Sequence, residues 1–189
     1  MIGKGKSISH GVAALEYDLA KEINGQAVAT EIARHELYGC TGAEMVQEMK
    51  PYHIDFPNVK NNCLRFEVSP SIEESAAFTD ADWAELGNDF MQRMGLANHQ
   101  YIIIRHSGTE SKKEQAHLHI LANRVSLSGE LYRDNWIGKK ATEAANAIAK
   151  ERNFVQSQDI GKVNKAEIKE AMDGVLKKMQ GFDFTKFKE

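Results

Sequence analysis

His117-Leu118-His119 puts two imidazoles at i and i+2, and in an extended strand that spacing turns both to one face. Leu121 and Asn123 join them there, while Leu118, Ile120 and Ala122 point the other way. His106 closes the apolar run Tyr101-Ile102-Ile103-Ile104-Arg105-His106, which reads as a second buried strand. A hairpin through Ser107 to Gln115 brings His106 beside the pair. Three imidazoles that converge this way form a divalent-metal site with open positions, the arrangement a catalytic ion needs to receive water or substrate. Ligand softness ranks zinc, nickel or manganese over magnesium for such a trio. A pair of strand histidines also occurs on ordinary half-exposed polar faces, and it is the third histidine and the clean apolar opposite face that favour the ion.

The elements that must position these residues alternate in type. A strand from Met1 to Lys4 leads through Ser9, an N-cap candidate, into a helix from His10 to about Glu22 with Val12, Leu15 and Leu19 as its apolar stripe. Tyr17 lies off that stripe. Val28 to Ala33 reads as a strand, and Ala43 to Met49 as a helix capped by Thr41 and ended by Pro51. Cys63 to Ser69 alternates as a strand, with Leu64, Phe66 and Val68 on one side and Arg65, Glu67 and Ser69 on the other. Thr79 caps a helix to Met94, with Gly95 as its stop. After the two histidine strands come a turn at Ser128-Gly129, a helix from Lys139 to Arg152, and a basic amphipathic helix from about Asn164 to Gln180 with a Phe-rich tail. The links between Tyr101 and Val125 are too short for helical crossovers, so the fold is α+β with a mainly antiparallel central sheet flanked by helices. Its polar face carries Glu67, Ser69, His106, His117, His119 and Asn123, whereas His10, His35, His53 and His99 lack partners in spacing and read as surface groups.

At 189 residues and 42% hydrophobic content the chain can bury one sizeable core. Cys40 and Cys63 make no disulfide framework and lack metal-ligand spacing, which suits a reducing compartment. No secretory signal or membrane-length apolar run is present, so a cytoplasmic protein is expected. A net charge of −3 argues against a polyanionic partner until its distribution is considered. Glu73, Glu74, Asp80, Asp82, Glu85 and Asp89 form an acidic block, while Lys4, Lys6, Lys112, Lys113, Arg124, Arg133, Lys139 and Lys140 gather elsewhere. A local field rather than the total decides where a polyanion docks. The turn Ile137-Gly138-Lys139-Lys140 opens a helix whose N–H groups suit a phosphate.

The opening MIGKGKSISHGVAALEYDLAKE, the strand FEVSP, the segment IIIRH followed by HLHILANRV, and YRDNWIGKKATEAANAIA together resemble the relaxase and mobilisation nuclease family. The resemblance spans roughly residues 1 to 155, leaving 156 to 189 as a helical extension, the start of a further region. It implies a sheet related to that of rolling-circle replication initiators, and an enzyme that nicks one DNA strand at an origin of transfer. Tyr17 falls in the slot of the tyrosine nucleophile and His106, His117 and His119 in those of the metal ligands, with magnesium or manganese as working ion and zinc or nickel expected in a crystal. Asn123 and Arg124 fall in the Asn-Arg that closes the histidine motif and, with Lys4, Lys6, Lys139 and Lys140, are expected to contact DNA. The implied partners are single-stranded origin DNA, relaxosome accessory proteins and the transfer machinery, with the protein itself a monomer. Two departures stand out: Gly108 occupies the position of a customary Asp, and the loop to the histidine pair is about two residues longer. The carboxylate that orients an imidazole must then come from Glu67, Glu110 or Glu114, and Glu67 alternates onto the right face.

These residue types suit phosphodiester chemistry. Neutral imidazoles leave an ion's charge available to a phosphate, which carboxylates would cancel. A tyrosine hydroxyl must lose its proton to attack, and the phosphotyrosyl bond it forms to the 5′ side keeps the energy of the broken bond, so the ends can be rejoined. Rival readings are a replication initiator or transposase of the same fold, and a DNA-binding accessory module whose catalysis has decayed.

Overall fold

Alternation along the strands decides which side of the sheet each residue serves. In the computed structural model, which describes residues 1–108 and 115–178, the elements run β1 (Ile2–Ile8), α1 (Gly11–Leu19), β2 (Glu22–Ile23), β3 (Gln26–Ala27), β4 (Ala29–His35), α2 (Gly42–Met49), a short 3-10 turn (Lys50–His53), β5 (Cys63–Ser69), α3 (Ile72–Ser75), α4 (Asp80–Arg93), β6 (His99–His106), β7 (His117–Ser126), α5 (Ile137–Glu151) and α6 (Ser157–Lys178). Five strands form one sheet in the order β1-β5-β7-β6-β4, each neighbouring pair antiparallel. The expected α+β architecture is therefore the observed one.

One face is mainly apolar. Leu64, Phe66 and Val68 of β5, Ile103 of β6 and Leu118, Ile120 and Ala122 of β7 pack there against Trp83, Leu86, Phe90 and Met91 of α4 and Ala141, Ala145 and Ile148 of α5. Each large side chain buried in this layer contributes roughly 1.5–3 kcal/mol. Gly3 lets α5 lie directly on β1, since a Cβ there would sit 2.4 Å from the Ala141 carbonyl oxygen. The opposite face is divided. Ile8, Cys63, Ile102, Ile104 and Leu121 are covered by Leu15 of α1 and Met45 and Met49 of α2, and the remainder carries the three buried histidines. The expectation of a continuous polar face is corrected by that apolar half.

Local chemistry explains where the element bounds differ from expectation. Helix α1 stops at Leu19 rather than near Glu22 because Asn24 and Gly25, at φ 54° and 75°, turn a tight hairpin between β2 and β3. Its buried face is Gly11, Ala14, Leu15 and Asp18, whereas Val12 is exposed; His10, not Ser9, occupies the N-cap position. Thr41 and Thr79 cap α2 and α4 as expected, each in a reciprocal capping box. The extension α6 begins at Ser157, earlier than its periodicity indicates, and exposes every residue from Lys165 to Gly174. Among the described residues no helix is long and apolar enough to cross a membrane. Glu110, Lys112, Lys113, Glu114 and the Phe-rich tail lie outside the described residues.

Candidate metal centre

Strand register builds the cluster. His106 pairs with His117 across β6 and β7, and His119, two residues on, stands between Ile104 of β6 and Glu67 of β5. One nitrogen from each of His106, His117 and His119 lies within 4.8 Å of the others, the one such group of potential metal ligands among the described residues. The His117 and His119 Nε2 atoms are 3.1 Å apart, close to the separation of about 3 Å that two nitrogens sharing one cation at about 2.0–2.1 Å must have. All three residues are at most 9% exposed.

Partners that can only accept or only donate fix where the imidazole protons sit. The Asp18 carbonyl oxygen accepts from His106 Nε2 at 2.7 Å, which leaves the Nδ1 lone pair unprotonated. The Gln115 carbonyl oxygen accepts from His117 Nδ1 at 3.1 Å, which leaves the Nε2 lone pair. His119 differs: the Arg65 guanidinium, a donor only, lies 3.2 Å from its Nδ1, so its proton sits on Nε2 and points at His117 Nε2. Burial holds the His119 imidazole neutral, pushing its pKa down to about 2, with His106, Arg65, His117 and Lys21 adding to the effect. Burial also lowers His106, against the hydrogen bond to Asp18 that raises it. Neutral nitrogens converging in a dry site are the donor set a divalent cation requires, so these residues fit a metal.

The carboxylate beside the cluster is Asp18, a residue the sequence reading passed over. It is 1% exposed and bonds Arg65 through both oxygens, Oδ2 to Nε at 3.0 Å and Oδ1 to Nη2 at 2.5 Å. Its Oδ1 is 3.9 Å from His119 Nδ1. Glu67, the expected carboxylate, instead accepts from Lys4 at 3.0 Å on the half-exposed rim. The available signal was positional: the buried face of α1 recurs at Gly11, Ala14, Leu15 and Asp18, and an acid at a core position must have a buried partner. Tyr17, its neighbour in sequence, projects outward, 56% exposed, with Lys21 donating to its hydroxyl at 2.6 Å from the next turn.

Asn123 and Arg124, expected at the DNA, are both engaged within the fold. Asn123 is fully buried: its Nδ2 donates to Gln100 at 3.0 Å and to the Met49 carbonyl at 3.3 Å, and its Oδ1 accepts from Val125 N at 3.0 Å and His53 Nε2 at 2.7 Å. Arg124 spends its guanidinium on Asp134 at 2.6 Å and on the carbonyls of Asn61 and Tyr132. His99, expected on the surface, is buried and donates to the Asn123 carbonyl, while His35 is half-buried and stacks on Tyr101. Lys4, Lys6 and Lys139 are exposed; Lys140 reaches back to the Arg133 carbonyl. The acidic block lies on the layer behind the sheet, where Arg93, Arg105 and Arg152 pair with Asp89, Asp80 and Glu85.

Fold and cluster together define an α+β protein with a three-histidine cluster on its central sheet that could hold a cation. The family is then given by comparison: the model of the relaxases, MobA/VirD2-like, nuclease domain, matches residues 17–154, and the chain belongs to this family. No curated protein matches the chain.

Proposed function

We propose that the protein nicks one strand of DNA at an origin of transfer, with Tyr17 as nucleophile and His106, His117 and His119 as ligands of a divalent cation, magnesium or manganese in function. The observation that carries this reading is the hydrogen bond from His106 to the Asp18 carbonyl, which ties the helix bearing Tyr17 onto the cluster. A bound cation would supply positive charge to the non-bridging oxygens of the scissile phosphate. Tyr17 Oη attacks phosphorus, its proton leaves, and the bond from phosphorus to the 3′ oxygen breaks. The 3′ oxygen takes up a proton, and the 5′ phosphate remains esterified to Tyr17. Reversal by the 3′ hydroxyl restores the strand, which suits transfer of a plasmid or mobile element. Asp18 acts as a positioning residue: a cation requires the Nε2 lone pair of His119, the proton must move to Nδ1, and Asp18 Oδ1, 3.9 Å from that atom, is the carboxylate that would take it. Lys4, Lys6 and Lys139 guide the phosphates, and the nuclease unit ends near residue 155.

The test is adduct formation on single-stranded origin DNA with manganese. The native chain is expected to yield a covalent complex that resists denaturation, and Tyr17→Phe none, with DNA binding nearly unchanged because the exposed ring is kept. An adduct in Tyr17→Phe would move the nucleophile to another tyrosine. DNA binding without any adduct in the native chain would instead support a non-catalytic binding module.

A further inference from the structure

Trp136 is 80% exposed and adopts φ 58°, ψ 28°, a left-handed conformation that bulky L residues avoid. An exposed ring recovers little from burial to offset that strain, so folding gives no reason for tryptophan here. The chain's other tryptophan, Trp83, is 2% exposed and packs edge-on against Phe78 in the core. The loop that presents Trp136 is nonetheless firmly held. Arg124 bonds Asp134 and the Tyr132 carbonyl, Lys140 bonds the Arg133 carbonyl at 2.9 Å and lies 5.0 Å over the Tyr132 ring, and the Ile137 amide donates to Asp134. A strained residue on a pinned loop is a ring fixed in place before any ligand arrives.

The surroundings say what it would meet. Arg133 and Lys139 are exposed on either side of it, Lys139 paired loosely with Glu143 at 3.8 Å. A Cβ on Gly138 would lie 3.5 Å from the Gly5 carbonyl, so the loop ends at the β1 edge between Lys4 and Lys6. Those two lysines, with Arg65 and Glu67, line a groove of about 190 Å³. The register runs from Lys4 through Glu67 to His119, two strand spacings or about 10 Å away. Lysines thus stand at the sheet edge two strands from the histidine cluster, with Glu67 between, and the loop that carries Trp136 reaches that same edge.

We propose that Trp136 is a stacking platform for one base of the single-stranded DNA that the relaxase reading requires. Cations that follow phosphates, combined with an aromatic face that accepts any base, form a recognition mode for single strands, because paired bases keep their faces covered. The inference rests on the proposed function, and the experiment separates the two.

The full chain is titrated with single-stranded oligothymidylate while tryptophan emission is followed. A second titration uses an oligomer of equal length made of abasic sites, which keeps the phosphates and lacks the bases. Emission from Trp136 is expected to be quenched by the first and not by the second, with Trp83 unresponsive in a Trp136→Gly variant. That variant also relieves the backbone, so it should melt at the same temperature or higher while binding oligothymidylate about tenfold more weakly. Equal quenching by the abasic oligomer, or full affinity in Trp136→Gly, overturns the stacking role. If the native chain forms its adduct while Trp136 emission stays constant, stacking alone fails. If it neither binds DNA nor forms an adduct, the relaxase reading fails with it.

Discussion

Strand β7 carries a buried histidine network at each end, and the two ends have opposite chemical characters. Around Asn123, every donor and acceptor of that side chain is met by Gln100, Met49, Val125 or His53, and His99 donates to its carbonyl. Asn123 therefore has no donor or acceptor left to offer a ligand, while the buried Nδ1 of His53 beside it lacks a partner. At the other end, the Asp18 and Gln115 carbonyls and Arg65 take one nitrogen each of His106, His117 and His119 and turn the other inward, so the lone pairs of His106 and His117 and the N–H of His119 face one another. A buried polar cluster is structural when its bonds close on the protein. It becomes a site when they close on one side only.

The comparison breaks most visibly if the open end can be emptied without cost to the fold. In His117→Ala/His119→Ala, manganese binding measured by calorimetry and adduct formation should both be lost, while the melting temperature shifts by only a few degrees. Leu118 and Ile120 on the other face keep β7 packed. Retained stoichiometric manganese would place the ligands elsewhere. The closed end should behave in reverse. Asn123→Ala leaves the His53 and Val125 donors and the Gln100 acceptor buried without partners, a loss of about 3 kcal/mol or more in urea unfolding. A loss within about 0.5 kcal/mol would show that water replaces the side chain and the network is not dry.

This contrast also marks what was legible in the sequence. The i, i+2 pair, the third histidine and the antiparallel pairing of their strands follow from period-2 alternation, which local residues fix. Asn123 shares that alternation and reads as a DNA contact on the histidine face, yet its surroundings come from the 3-10 turn and β6, contacts remote in sequence that periodicity does not reveal. Arg124 resembles a phosphate contact until the Tyr132–Asp134 loop folds over it. With Gly108 in place of the customary Asp, the sequence points to no carboxylate near the histidines, because the one the fold brings beside them stands on α1, 88 residues from His106 along the chain. The Asn24-Gly25 hairpin was readable from its dipeptide and was passed over in favour of a longer helix.

A smaller effect sharpens the role of Asp18. Asp18→Ala removes the acceptor for His119 and breaks a buried pair with Arg65, so it should lower both stability and manganese affinity. Asp18→Asn keeps an oxygen at similar reach, and either variant keeps the backbone carbonyl that holds His106. Manganese affinity should fall about 10- to 100-fold in Asp18→Ala and be substantially restored in Asp18→Asn. Equal affinities in all three proteins would leave Asp18 as a structural partner of Arg65 alone.

The smallest effect probes the closed end through pH. Burial lowers the His99 pKa below its ordinary 6.5, against the hydrogen bond to Asn123 that raises it. In the unfolded chain the same ring takes up a proton near pH 6.5, so below that value the unfolded state binds more protons than the native state. Stability therefore rises with pH in this window and is lost as the solution is acidified, by on the order of 1 kcal/mol per pH unit for the group. His106 and His119 add slopes of the same sign from the open end, because burial lowers them too. Urea unfolding between pH 7 and pH 5 should thus show a steep fall for the native chain and a shallower one for His99→Gln, whose amide can still donate to the Asn123 carbonyl. Subtracting the two curves isolates His99 from the cluster. Parallel curves would mean that His99 protonates as readily in the fold as in the unfolded chain, and the end of β7 assigned to structure would be wet enough to receive a ligand of its own.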